Sequence, residues 1–145
     1  MICLLLEQTK KKYLEIILDD FGCNLIIDNL ALLKSNKQMR LDLSKQIAPN
    51  FKQGYSKVDI ISITYNSNMH IGDTEYNIKC IVNQQDEIEL SITYDGIQEL
   101  RDIIEFVRDN DDHFHLFGGF DLCTDEEHPS NNIIDAITIY STANY

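Results

Sequence analysis

One order of elements occurs twice along the chain, and this repeat limits the possible folds more than any other feature of the sequence. In each half, two apolar stretches joined by a short polar turn precede a helical stretch with a glycine near its start, and an apolar strand follows later. Gly96 lies 74 residues after Gly22, and Asp135, which opens the second late strand, lies 76 residues after Asp59. The similar spacings indicate an internal duplication, although two unrelated units built from these elements would look alike.

Apolar periodicity predicts the elements of each half. Ile88, Leu90 and Ile92 alternate with polar residues, as in a strand with one buried face. The stretches 20–35 and 95–110 are instead predicted to be helices, and the second carries its apolar residues at helical spacing. Because short polar turns join the predicted strands, the sheets should be antiparallel, with the two helices covering them.

We therefore expect an α+β fold of duplicated ββαβ(β) units that form one domain over residues 1–145. Residues 1–73 make the first repeat and residues 74–145 the second. The stretches 36–57 and 118–131 hold both prolines and three of the six glycines, and are predicted to be surface loops. A chain of this length buries about 70% of its unfolded surface, so it needs neither metal nor disulfides to fold.

Charge divides the two repeats. The chain carries 24 acidic and 12 basic residues, which gives a net charge of −12. The first repeat holds nine basic and eight acidic side chains, and the second holds three and sixteen, so their net charges are +1 and −13. A strongly negative half disfavours contact with nucleic acid or an anionic membrane and favours a basic protein partner.

The negative charge of the second repeat concentrates on its predicted helix and on the loops that follow it. On a helical projection, Asp95, Glu99 and Asp102 fall on the side opposite the apolar face, and Phe106 lies among them. A solvated helix face and a docking surface for a basic protein both explain this pattern, and the asymmetry between the repeats favours docking. The candidate partner-binding residues are Glu99, Asp102, Glu105, Phe106, Asp109, Asp111, Asp112, Asp121, Asp125, Glu126 and Glu127.

No motif for catalysis or for a cofactor stands out. His113 and His115 would share one face of a strand, an arrangement that can hold a transition metal. Further ligands would come from Asp121, Cys123 or His128. Single His-x-His matches are common, and two partly buried histidines beside a Gly-Gly turn explain the pattern more simply. We therefore expect no metal and no cofactor. No serine or cysteine lies in a recognised nucleophile motif, so we also expect no enzymatic activity.

The sequence also predicts the compartment. No apolar stretch approaches the length of a membrane span, and the apolar run at residues 1–6 is too short for a signal-peptide core. The four cysteines form no CxxC pair, and free thiols are favoured over any of the three possible disulfide pairings. We therefore expect a cytoplasmic protein that does not contact a membrane.

Several segments in fixed order carry a resemblance to a known class of protein. A strand leads into a glycine-opened helix at residues 14–33, and the same order returns at residues 88–107, followed by His-Leu-Phe and Gly-Gly at residues 115–119. This pattern resembles the immunity proteins of bacterial toxin systems, and more narrowly the CdiI-type immunity proteins of contact-dependent growth inhibition. The duplicated order of strands and helix also resembles the Whirly fold of single-stranded DNA-binding proteins.

The resemblance implies a protein that binds and neutralises the toxic C-terminal domain of a CdiA-type effector. Many such toxins are nucleases with basic clefts, and charge complementarity would raise the association rate by about 10- to 1,000-fold at low salt. A Whirly-like nucleic-acid-binding module and an enzyme of unknown chemistry are the alternatives. The chain departs from the Whirly pattern because it lacks a Lys-Gly-Lys motif and carries the opposite net charge.

Overall fold

The structure is a computed structural model that describes residues 1–8, 11–47, 50, 53–71, 74–117 and 132–145. The first half forms β1 (Ile2–Gln8), β2 (Lys12–Leu18), α1 (Asp20–Asn36), β3 (Gln38–Asp42), β4 (Tyr55–Val58) and β5 (Ile60–Tyr65). A short ribbon, β6 (His70–Ile71) and β7 (Thr74–Glu75), joins the halves. The second half forms β8 (Ile78–Val82), β9 (Ile88–Ile92), α2 (Tyr94–Asn110), β10 (His113–Phe117) and β11 (Ala136–Ser141). A 3₁₀ turn, Thr142–Asn144, follows.

The α+β class, the two helices and the predominantly antiparallel sheets are confirmed. The prediction of an uninterrupted loop over residues 36–57 is wrong, because β3 and β4 lie within it. Both strands are short, partly exposed and at sheet edges, so polar side chains such as those of Arg40 and Lys57 mask their periodicity. The predicted loop at 118–131 lies outside the described residues.

Two sheets form the framework, and each takes strands from both halves. The five-stranded sheet has the order β10-β11-β2-β1-β4, and the four-stranded sheet has the order β3-β5-β9-β8. Neighbouring strands are antiparallel except at β11–β2 and β5–β9, which are parallel. The hairpin of each half therefore pairs with the last long strand of the other half.

The two halves share several local features around their helices. Asp19 and Thr93 cap α1 and α2 by accepting hydrogen bonds from the backbone N–H groups of Gly22 and Gly96, at 2.7 and 3.2 Å. Both helices have 17 residues. The parallel pairings also share one register, since Ile137 lies opposite Leu14 and Ile61 lies opposite Ile88. The glycines that are 74 residues apart in the sequence thus both follow a helix N-cap.

A single large hydrophobic core joins both sheets and both helices. Its fully buried members include Leu4, Leu6, Leu14, Leu18, Leu30, Leu33, Ile78, Ile88, Ile92 and Ile104. A second cluster lies on the outer face of the five-stranded sheet, where Cys3, Leu5 and Ile17 are buried. Strands β1 and β2 therefore have apolar residues on both faces, as expected for central strands. Neither described helix combines the length and apolarity needed to cross a membrane.

Candidate protein-binding surface

Helix α2 turns its acidic side outward. Its apolar side is buried in the core through Ile97, Leu100, Ile103, Ile104 and Val107. On the opposite side, Asp102, Phe106 and Asp109 are exposed, whereas Glu99 and Glu105 are half-buried. The predicted orientation of the helix is therefore confirmed, and its outer row combines carboxylates with one aromatic ring.

An exposed aromatic pair lies within this acidic surface. The rings of Phe106 on α2 and Phe114 on β10 meet edge to face, with centroids 6.5 Å apart and planes at 78°. The two residues are 43% and 39% exposed. Aromatic rings that remain open to solvent beside charged groups are typical anchors of protein interfaces. The pair supplies an apolar centre that the carboxylates alone lack.

The acidic surface continues beyond the end of α2. Asp111 occupies the left-handed C-cap position, with φ of 49°, a conformation that aspartate tolerates better than most residues. The Asp112 carboxylate accepts a hydrogen bond of 2.8 Å from the backbone N–H of His113. Ser141 donates to Asp111 across 3.5 Å. These contacts are partly exposed, so the carboxylates remain accessible to a partner.

Arg108 is one of two basic side chains on α2, the other being Arg101. Its guanidinium donates to Asp109 at 2.8 Å, and this hydrogen bond is the main reason that the pKa of the Asp109 carboxyl is lowered. Arg108 also donates to Asn24 on α1 at 2.8 Å. The first turns of α1 therefore lie beside the end of α2. The sequence gives no local sign of this neighbour, because the contact joins distant segments.

The structure brings together part of the predicted set. Glu99, Asp102, Glu105, Phe106, Asp109, Asp111 and Asp112 follow one another along α2 and the turn after it. Asp121, Asp125, Glu126 and Glu127 lie outside the described residues. The sequence alone does not decide whether Phe114 belongs to the core or to the surface. Its exposure follows from the position of β10 at the edge of the five-stranded sheet.

The histidines of β10 lie on one strand face, as predicted. The rings of His113 and His115 are 4.9 Å apart. Nδ1 of His113 lies 2.7 Å from Oδ1 of Asn144, and Nδ1 of His115 lies 2.9 Å from Oγ1 of Thr138. Within the described residues no group of three or more metal-ligating side chains forms. The further ligands considered from the sequence, Asp121, Cys123 and His128, lie outside those residues.

Three described cysteines are buried as free thiols. Burial raises the pKa of Cys3 and of Cys80, and burial followed by the charge of Asp20 raises the pKa of Cys23 to about 11. These thiols are protonated at neutral pH and enclosed by the core, so their environment is not that of a nucleophile.

Comparison with protein-family models, with curated proteins and with solved structures finds no match to this chain.

Proposed function

We propose that this protein is an immunity protein that binds and neutralises a cognate toxin, the C-terminal domain of a CdiA-type effector with nuclease activity. The observation that carries this proposal is the surface at the end of α2, where exposed carboxylates surround the Phe106–Phe114 pair. A nuclease cleft is basic because it binds phosphate, so carboxylates complement its charge. The aromatic pair provides the packed contacts that charge alone does not supply.

The asymmetry of charge supports the same partner. The second half carries a net charge of −13, and α2 presents its acids on the side away from the core. Clustered acids repel one another, which costs a few tenths of a kcal/mol for each pair on a helix. A basic partner converts that repulsion into attraction on binding. The cytoplasm, where such a toxin acts, is the proposed location.

The proposal predicts an effector gene directly upstream, and the experiment is co-expression with the C-terminal domain of that effector. Growth rescue and co-purification of the two proteins are the expected results. Changing Phe106 to alanine, alone or with Phe114, should weaken binding by about tenfold or more, because truncated interface anchors often cost over 1 kcal/mol. Tyr94→Ala is the matched control, since Tyr94 is an exposed aromatic at the opposite end of the same helix.

The alternative of nucleic-acid binding is tested in parallel. Nonspecific binding depends on neutralising phosphates, so we expect no measurable affinity for single-stranded DNA or RNA at about 150 mM salt. Submicromolar binding in an anisotropy titration, together with no rescue by co-expression, would favour a Whirly-like nucleic-acid-binding module.

The Tyr94→Ala control decides where the toxin binds. If growth rescue is lost as much in Tyr94→Ala as in the Phe106 variant, the toxin contacts another part of the molecule.

A further inference from the structure

The core between the two sheets contains a small apolar cavity, with a volume of about 30 Å³. Side chains from both sheets and both helices line it, among them Leu4, Leu18, Ile26, Met39, Leu90 and Leu100. Every lining residue is isoleucine, leucine or methionine. The cavity is therefore a feature of the whole core rather than of one element.

The composition of the lining explains why side chains do not fill this space. Most of its members are isoleucine, whose side chain branches at Cβ and is stiff about its first torsion. Stiff side chains that project from two facing sheets do not rearrange to close the gap between them. An aromatic ring would span the gap. Among the described residues, however, Tyr76 is the one buried aromatic, and it belongs to a separate small cluster.

The chemistry of the lining selects an apolar occupant over water. A cavity of about 10–15 Å³ is large enough for one water molecule, but a buried water also needs about two to four hydrogen-bonding partners. The lining side chains carry no polar atoms, apart from the weakly accepting sulfur of Met39. The backbone groups of β1, β2 and β9 pair within their sheets. An apolar molecule needs no such partners, and it restores the dispersion contacts that the gap forfeits.

We propose that this cavity binds a small apolar gas molecule of the size of dioxygen. Its volume equals that of about two or three water-sized spheres, which suits a diatomic molecule. Sites for larger organic ligands usually span about 300–1,000 Å³, so a metabolite does not fit. Met39 and Leu41 on the edge strand β3 are half-buried, so the lining comes nearest to solvent there. The flexible side chain of methionine lets a small molecule pass on this side.

The experiment measures the relaxation of methyl protons by NMR while the protein is held under dioxygen pressure. Dioxygen is paramagnetic, so it increases the relaxation rate of the nuclei that it approaches. Strands β1 and β2 offer a matched comparison within one molecule. Leu4 and Leu18 line the cavity, whereas Leu5 and Ile17 lie on the outer face, and none of the four is more than 1% exposed. We expect a severalfold larger increase at the two lining residues, after correction with nitrogen at the same pressure.

A variant that fills the cavity tests the location of the site. Leu100 on α2 belongs to the lining, so Leu100→Phe places a ring in the cavity. The increase at Leu4 and Leu18 should then fall to the level of the outer-face methyl groups. Leu33→Phe on α1 is the matched control, because Leu33 is also buried but is not part of the lining. It should keep the increase, and it should lower the Tm more than Leu100→Phe does, since its added ring has no cavity to enter.

Two results would overturn the proposal. Equal increases at the lining and outer-face methyl groups of the wild type would show that dioxygen has no preferred site in the core. An unchanged increase in folded Leu100→Phe would show that the gas lies outside this cavity. If Leu100→Phe does not fold, the comparison within the wild type decides alone, since it needs no variant. The experiment involves no toxin, so its result is independent of the proposed function.

Discussion

At the scale of single residues, Glu15 is where the sequence and the structure diverge most. Alternation along β2 correctly predicts that Glu15 points away from Leu14 and Ile16, and hence away from the core. A solvent-exposed side chain would follow from that pattern. The residue is buried instead, and it is hydrogen-bonded to Tyr55 and Tyr145, which are distant in the chain, so no local pattern contains that information.

The energetic consequence is testable in the absence of any partner. Glu15→Gln removes a buried carboxylate whose Oε2 atom receives no hydrogen bond from the described residues, so we expect it to stabilise the fold by about 0.5–2 kcal/mol. For a chain of this size that raises the Tm by several degrees. Glu89→Gln, at an exposed position on β9, should change stability by less than about 0.5 kcal/mol. Marked destabilisation by Glu15→Gln alone would show that the carboxylate has a structural role.

Tyr145, on the outer face of the five-stranded sheet, should make the stability of the fold decrease at high pH. The pKa of Tyr145, raised by burial and then by Glu15, is about 12 in the folded state, compared with about 10 in an unfolded chain. Between these values the unfolded state binds fewer protons, so stability falls as the pH rises from about 10 to 12. Urea unfolding across this range should show a shallower decline for Tyr145→Phe. An identical decline in both proteins would contradict this.

At the scale of elements, the helices were predictable and the edge strands were not. Periodicity and glycine position located α1 and α2 to within about two residues, because cap chemistry and an apolar face are encoded locally. Strands β3 and β4 are short, partly exposed edges that obtain their stability from pairing with distant residues. The outer row of α2 could be predicted from the helical projection, whereas its contact with α1 through Arg108 and Asn24 could not.

Each helix docks against its hairpin at a glycine. A Cβ atom on Gly96 would lie 2.5 Å from the backbone oxygen of Asn77 and 2.7 Å from Cγ1 of Ile92. Gly96→Ala should therefore destabilise the fold by about 1–3 kcal/mol, since the helix or the hairpin must shift. Urea denaturation measures the loss. Gln98→Ala, two residues further along α2 and half-buried, serves as the control and should have a much smaller effect.

At the scale of the whole molecule, the exchange of strands makes the halves interdependent. The β1–β2 hairpin pairs with β11, and the β8–β9 hairpin pairs with β5. Separate fragments 1–73 and 74–145 should each lack a cooperative unfolding transition, because neither contains a complete sheet. Mixing the two should restore far-ultraviolet circular dichroism and one transition. Cooperative unfolding of either fragment alone would contradict this prediction.

Charge also acts over the whole molecule, and its effect on the proposed partner should be kinetic. Asp111→Asn with Asp112→Asn removes two charges while keeping side chains that tolerate the left-handed C-cap and still accept hydrogen bonds. The fold should be preserved, and association with the toxin domain should slow severalfold, with a smaller dependence on salt. Dissociation should change little if these carboxylates lie at the rim of the interface.

The control is Glu75→Gln with Glu89→Gln, which removes the same charge from exposed positions on β7 and β9. Surface plasmon resonance at several salt concentrations would compare the two pairs. If both variants slow association equally, net charge alone steers the encounter. If only the aspartate pair does, the acidic end of α2 faces the approaching toxin.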